Sequence, residues 1–330
     1  MGNVIALVQN EMIKMIRRRR FLVIVLMLIV IASLFTYAQY REIQEQFERM
    51  GTADWRAELQ QKMIDTQNRL SSARLPEQHE TRLKLSLQQQ QYYLDHDVDP
   101  RAPGAPTFIR VFMQEGISLV VPLFVVVLMA DIVSGEYSDG TVKALLTRPV
   151  KRWKILASKY VTVVLYTSLL VVAIGVICYA VSGAVLGYGG WNEPVLTGFQ
   201  PSGEDMNTEN VYAVPLWQYN LMIYGLGWFV AVVTGTIAFM LSVLVRSTAI
   251  GIGVMLALLI SGTLLSSVAS SWDSAKYLVM VNFRLTDYLT GHPPPVPGMT
   301  LPFSLTVLGV WAIAALIVSF VVLTRKDVLS

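Results

Sequence analysis

Six apolar runs constrain this chain more than any other feature. Phe21 to Ala38, Ile117 to Val133, Val161 to Gly187, Trp217 to Val245, Ala249 to Val268 and Leu301 to Leu323 are 17 to 29 residues long and carry few or no charges. At about 1.5 Å per helical residue, such runs can cross roughly 30 Å of hydrocarbon. No water is available there to bond a bare backbone, so each run is expected to be a helix. The sequence thus predicts an all-α membrane protein with six transmembrane helices and both termini on one side. A composition of 54% hydrophobic and 15% charged residues fits no ordinary soluble domain.

Basic residues in the short connections orient the bundle. Lys14 and Arg17 to Arg20 precede the first run; Lys143, Arg148, Lys151, Arg152 and Lys154 join the second to the third; Arg246 follows the fourth, and Arg325 and Lys326 follow the sixth. These connections share one face, which is expected to be cytoplasmic in the cell membrane. The opposite connection, 188–216, holds Glu193, Glu204, Asp205 and Glu209 and no Lys or Arg. The long 39–107 segment carries nine basic and eleven acidic residues and exceeds the length over which this bias operates.

Residues 1–20 are expected to form an amphipathic interfacial helix, because Val4, Ile5, Val8, Met12, Met15 and Ile16 fall within one 120° sector of a helical wheel. Arg17, Arg18, Arg19 and Arg20 would anchor its end among lipid headgroups. A cleaved signal peptide is the alternative reading of this basic patch and apolar core, and the sixteen helical residues ahead of the patch speak against it.

Two segments on the outer face stand out. In 39–107, stripes such as Ile43, Phe47 and Met50, then Trp55, Leu59 and Met63, with breaks at 51–52 and 71–76, predict an extracellular helical hairpin over about 41–95. It reads as a spacer, a dimer contact or a ligand-sensing element. In 269–300, Trp272, Tyr277, Phe283 and Tyr288 alternate with charges ahead of a proline-rich turn, as in a capped loop or a segment dipping into the interface.

The chemistry-bearing motifs are absent. There is no phosphate-binding loop, no zinc-protease motif and no cysteine pair; Cys178 stands alone inside the third run. His79, His96 and His292 fall in expected outer loops, and the acidic run Asp95 to Asp99 lacks calcium-loop spacing. Arg110 and Glu115 either pair or reach for the interface, and Gly183 with Gly187 gives a weak small-residue signal for helix contact. The runs contain almost no ionisable residue, which disfavours a carboxylate-driven carrier. No catalytic residue, cofactor site, metal site or nucleic-acid partner is expected of this chain, whose one evident partner is the lipid bilayer.

The stretch 134–154, SGEYSDGTVKALLTRPVKRWK, departs from a plain connection. Ser138 or Asp139 can cap a helix over Thr141 to Thr147, which places Val142, Leu145 and Leu146 on one side; Pro149 then ends it and can open the next helix. Continued to Lys159, the stretch resembles the signature of type-2 exporter permease subunits of ABC transporters. Glu136, Gly140, Thr141, Leu145, Leu146, Pro149, Val150, Arg152 and Lys159 occupy the matching positions, and the outline of amphipathic helix, six spans and extended segment before the last span is similar too.

The resemblance implies a coupling helix that docks on a separate ATP-binding subunit. Leu145 and Leu146 would be its apolar anchor, Arg148, Lys151 and Arg152 its charged rim, and Glu136 would hold the elbow between span and coupling helix. It also implies two ATPase subunits holding ATP and Mg, and a second permease subunit, identical or not. The expected layout is 1–20 interfacial helix, 21–38 first span, 39–107 extracellular insertion and 108–330 remaining membrane domain. The alternative is a membrane sensor, regulatory or immunity subunit whose hairpin recognises an extracellular ligand such as a peptide antibiotic.

Overall fold

A computed structural model describes the chain except for residues 1–3, 18, 51–53, 73–76, 101, 139, 141–150, 246, 269–271 and 326–330. It is a mostly helical membrane protein, 76% helix. Helix α1 (Val4–Arg17) leads into α2 (Arg20–Met50), which is followed by α3 (Trp55–Ser72) and α4 (Glu77–Asp95). Helices α5 (Ala105–Gly116), α6 (Val120–Met129) and the short α7 (Ser134–Ser138) precede the long α8 (Arg152–Leu186). Then come β1 (Pro194–Thr197), β2 (Gln200–Ser202), β3 (Asp205–Asn207) and β4 (Tyr212–Pro215), followed by α9 (Leu216–Leu244) and α10 (Thr248–Val268). Two 3₁₀ turns (Asp273–Tyr277 and Met280–Asn282), α11 (Asp287–Thr290) and α12 (Leu301–Arg325) complete the chain.

Five of the described helices are long and apolar enough to cross a membrane, and α5 with the helix after it makes a sixth if the pair counts as one span. The pair is bent by 71°. The bend falls at 117–119, ahead of Pro122. Pro122 sits in the first turn of α6, where its missing N–H would have had no intrahelical acceptor, so the proline opens a helix there and interrupts none.

Helix α9 is central and packs against α5, α6, α8 and α12. On α2 the residues Ile24, Leu28, Ala32 and Thr36 form a buried stripe at helical spacing, while Leu22, Leu26, Val30 and Leu34 are exposed. An apolar face of that size is stable only against lipid. At the small-residue pair on α8, the Gly187 carbonyl accepts the Ala105 amide of α5 at 2.9 Å. Gly187, at φ 87°, ends α8 by donating its amide to the Gly183 carbonyl, and a Cβ at Gly183 would lie 2.0 Å from the ring of Tyr188.

Four short strands accompany the helical fold at one end of the bundle. β1 pairs antiparallel with β4, and β2 with β3, in the 188–216 connection. Short strands there close a hairpin over Phe199, which the apolar periodicity of six spans gave no reason to expect. The helical hairpin is present as α3 and α4, and His79 lies within α4 rather than in a loop. It does not stand apart from the bundle, because α4 rests on β3 and on the segment before α12. Lys84 pairs with Glu204 at 3.0 Å, Gln88 accepts the Met206 amide at 2.6 Å, and Gln89 donates to the Thr290 carbonyl at 2.7 Å. Within 269–300, Ala275, Val281, Val296 and Met299 make a small core of their own, and Trp311 donates to the Tyr277 carbonyl.

Candidate functional site

The opposite end of the bundle holds the chain's concentrated charge. Between α6 and α7 the helix is interrupted at 130–133, and this interruption is the hub of the site. An interrupted helix frees backbone groups that must be bonded in the absence of water. Ser242 Oγ of α9 accepts both the Val133 amide at 3.0 Å and the Ser134 amide at 2.9 Å. Ser134 Oγ donates to the Ala130 carbonyl and lies 3.1 Å from Thr248 Oγ1 of α10. The Ile132 carbonyl is bonded at 2.9 Å by Lys159 Nζ, two turns into α8.

Lys159 is only 2% exposed, the most buried cation described, and it bonds two carboxylates. Its Nζ lies 2.7 Å from Glu11 Oε2 of α1 and 3.3 Å from Glu136 Oε1 of α7. Lys14 of α1 contacts the same two, Glu136 at 2.8 Å and Glu11 at 3.2 Å. Among the described residues, two carboxylates and two ammonium groups thus alternate in one node. Burying any one alone would cost several kcal/mol, so the set is stable only complete. A second ion pair flanks it, Arg20 at the start of α2 lying 2.9 Å from the carboxylate of buried Asp131.

Burial works to lower the pKa of the Lys14 ammonium, but its hydrogen bond to Glu136 and the charges of Glu11 and Glu136 outweigh this and raise it. A raised folded pKa means that this contribution is complete below the ordinary lysine value of 10.5 and is lost only as pH rises through the folded one. The Lys14 ammonium is therefore charged at neutral pH.

The first helix, α1, packs on α8 by one face. Its buried residues are Glu11 and Met15, while Ile5, Ile13 and Ile16 are exposed. Tyr166 of α8 donates to the Met12 carbonyl at 3.0 Å, and Phe21 meets the Tyr166 ring edge-on. The helix is thus clamped to α8 by one face and keeps a strip of isoleucines for lipid. Of the four arginines assigned to headgroups, Arg17 and Arg19 are exposed, Arg18 lies outside the described residues, and Arg20 pairs with Asp131. Arg19 takes a left-handed φ of 53° in the turn between α1 and α2.

Of the residues matched to the exporter signature, the structure brings Glu136 and Lys159 together. Gly140 is exposed with a φ of 68°, in keeping with a helix break, and Lys151 is exposed immediately before Arg152 opens α8. Thr141, Leu145, Leu146, Arg148, Pro149 and Val150, with the expected short helix, lie outside the described residues. Ser138 closes α7.

Glu11, Lys14, Asp131, Ser134 and Ser242 were missed as site residues. Glu11 could have been found, because positions 4, 8, 11 and 15 form one stripe on α1 and a carboxylate amid Val4, Val8 and Met15 needs a buried partner. Ser242 offered no such signal among the many hydroxyls of the spans. Ser242→Ala is expected to cost about 1–3 kcal/mol for each buried amide left without its acceptor, read as a lower apparent unfolding midpoint with the purified chain still monodisperse.

The other charged candidates are structural. In the 95–99 run, Asp97 pairs with Arg56, the His96 ring stacks on Tyr92, and Val98 is buried. No group of three His, Cys, Asp or Glu side chains among the described residues could hold a metal ion. Arg110 is buried and donates to the Pro100 carbonyl at 2.6 Å, and Cys178 is a buried free thiol.

Comparison with known proteins adds kinship. Two relatives come from Bacillus subtilis (strain 168). The uncharacterized protein YhcI is 29% identical over 240 residues, covering 72% of this chain and 74% of the relative. The uncharacterized membrane protein YdbK is 27% identical over 214 residues, covering 64% and 79%. Residues 84–329, from α4 through the elbow to the end of α12, match the model of the family described as protein of unknown function (DUF2705), and the chain belongs to that family.

Proposed function

We propose that this chain is the transmembrane permease subunit of an ATP-driven ABC exporter, with its elbow end and both termini in the cytoplasm. The observation that carries the reading is that Glu136 and Lys159, the first and last charged positions of the exporter-like signature, meet in one buried node with α1 although 23 residues separate them. A force applied between them, through residues 141–150, would reach α1, α7 and α8 together, and through Ser242 and Thr248 also α9 and α10. Leu145 and Leu146 dock on an ATPase subunit, Arg148, Lys151 and Arg152 rim that contact, and ATP with Mg is held by the partner. The assembly has two ATPase and two permease subunits.

The test is co-purification with a candidate ABC ATPase co-expressed with this chain. Wild type is expected to retain the ATPase and stimulate its turnover, and Leu145→Asp with Leu146→Asp to lose both, because an apolar anchor at an interface centre is commonly worth 2 kcal/mol or more, about thirtyfold in affinity. Undiminished association of the double variant would end the docking role.

A second reading, a sensor or regulatory subunit, is favoured by the way α4 is bonded to two other segments at the hairpin end. Removal of residues 41–95 with transport retained would count against it.

A further inference from the structure

Helix α1 presents three faces. Glu11 and Met15 turn inwards, and Glu11 accepts a hydrogen bond from Lys159 of α8. Ile5, Ile13 and Ile16 are exposed and share a sector of roughly 80° on the wheel, at about 3.6 residues per turn. Arg17, also exposed, follows at the edge of that sector. The apolar strip resumes at the start of α2, where Leu22, Val23 and Leu26 are exposed. Since the exposed face of α2 meets lipid, the strip beside it meets lipid too, and α1 runs along the membrane surface as an amphipathic interfacial helix does.

The charge beside this strip has one sign. Among the described residues, the carboxylates of the elbow end, Glu11, Asp131 and Glu136, are all buried. Arg17, Arg19 and Lys151 are exposed there, and neither Arg17 nor Arg19 has an ion-pair partner among the described residues. Trp153, exposed where α8 begins, has the Lys154 ammonium 5.8 Å from its ring centre; a tryptophan beside a lysine at the end of a span sits at headgroup level. A surface that exposes cations and turns its carboxylates inwards is complementary to an anionic membrane surface, which attracts basic residues lying within a Debye length.

We propose that α1 docks on the anionic phospholipids of the bilayer, with Ile5, Ile13 and Ile16 among the acyl chains and Arg17 and Arg19 on the headgroups, and that this contact holds α1 against α8. Membrane charge thereby acts on the buried node, because Glu11 and Lys14 belong to the same helix. The proposal does not depend on the exporter reading, since it concerns this chain and its lipid and requires no ATPase.

Hydrogen exchange over residues 4–17, measured on the full chain in nanodiscs, tests it directly, because a helix of this length is marginal in water on its own and its amides report docking. Exchange is expected to be about thirtyfold slower in discs of phosphatidylcholine and phosphatidylglycerol in equal parts than in phosphatidylcholine alone, the equivalent of about 1 kcal/mol for each arginine. Phosphatidylserine in place of phosphatidylglycerol is expected to give the same slowing, and high salt to abolish it. Arg17→Gln with Arg19→Gln, which leaves the node untouched, is expected to match wild type in neutral discs and to lose the slowing in anionic ones. Inorganic phosphate added to neutral discs is expected to have no effect, which separates a membrane surface from a free anion. Equal exchange in the two discs, slowing that survives the double variant, slowing by only one of the anionic lipids, slowing by inorganic phosphate, or an equal change in α9 would overturn the assignment.

Discussion

Lys159→Met is expected to lower the apparent unfolding midpoint more than any other single substitution in the spans and to detach α1 from α8. The ammonium is 2% exposed, bonds Glu11 and Glu136, and supplies the donor for the Ile132 carbonyl at the break after α6. Its removal takes one of the two ammonium groups from the buried carboxylates Glu11 and Glu136. Breaking a buried ion pair from one side costs about 3–5 kcal/mol, because the remaining charge has neither partner nor water. Thermal unfolding of the purified chain, with hydrogen exchange resolved over residues 4–17, reads both effects.

The double variant Lys159→Met with Glu11→Gln separates electrostatic balance from shape. Charge is again matched, with Lys14 and Glu136 still paired at 2.8 Å, and more than half of the lost stability is expected to return. On the exporter reading, ATPase stimulation stays low in the same double variant, since the bond from α8 to α7 is absent although the fold has recovered. Recovery of stability and stimulation together would make the node a matter of folding alone. A double-mutant cycle over Glu11 and Lys159 should show a coupling of about 0.5–3 kcal/mol, the range for residues in one network.

What the sequence made legible follows from the lengths of physical correlations along it. Apolar runs are local, and the observed helices α9, α10 and α12 begin and end close to the runs that announced them, while α8 ends with its run and begins nine residues before it. The hairpin was legible for the same reason, from stripes and breaks within 41–95. The break at 130–133 was not, because its stability comes from Ser242 and Lys159, which lie more than a hundred and nearly thirty residues away. The strands of 188–216 were hidden likewise, since their apolar contacts are to α4 and α11 and no run of their own marks them. Glu136 and Lys159 were singled out by resemblance, yet their meeting through Glu11 required the tertiary fold. Where a carboxylate interrupts an apolar stripe, as Glu11 does, sequence reading shows that a partner is needed but cannot say which of 26 basic residues it is.

At the hairpin end, Phe199→Ala is expected to free α4 from the bundle while leaving α8 and α9 intact. Phe199, in the turn between β1 and β2, is 1% exposed. Its ring meets Tyr92 edge-on at 5.5 Å and Tyr93 at 5.9 Å, and it shares a small core with Val98 and Leu196. Truncating a buried phenylalanine to alanine costs about 3–5 kcal/mol, and here the loss falls on one docking contact of a satellite core. The other links from α4 are polar and mostly exposed. The Lys84–Glu204 pair in particular is surface-screened, so Lys84→Ala should change little. Hydrogen exchange should therefore accelerate across residues 77–95 in Phe199→Ala, by the factor of a hundred or more that 3 kcal/mol implies, with α9 unchanged. Equal acceleration in α9 would mean that the hairpin and the bundle unfold as one unit.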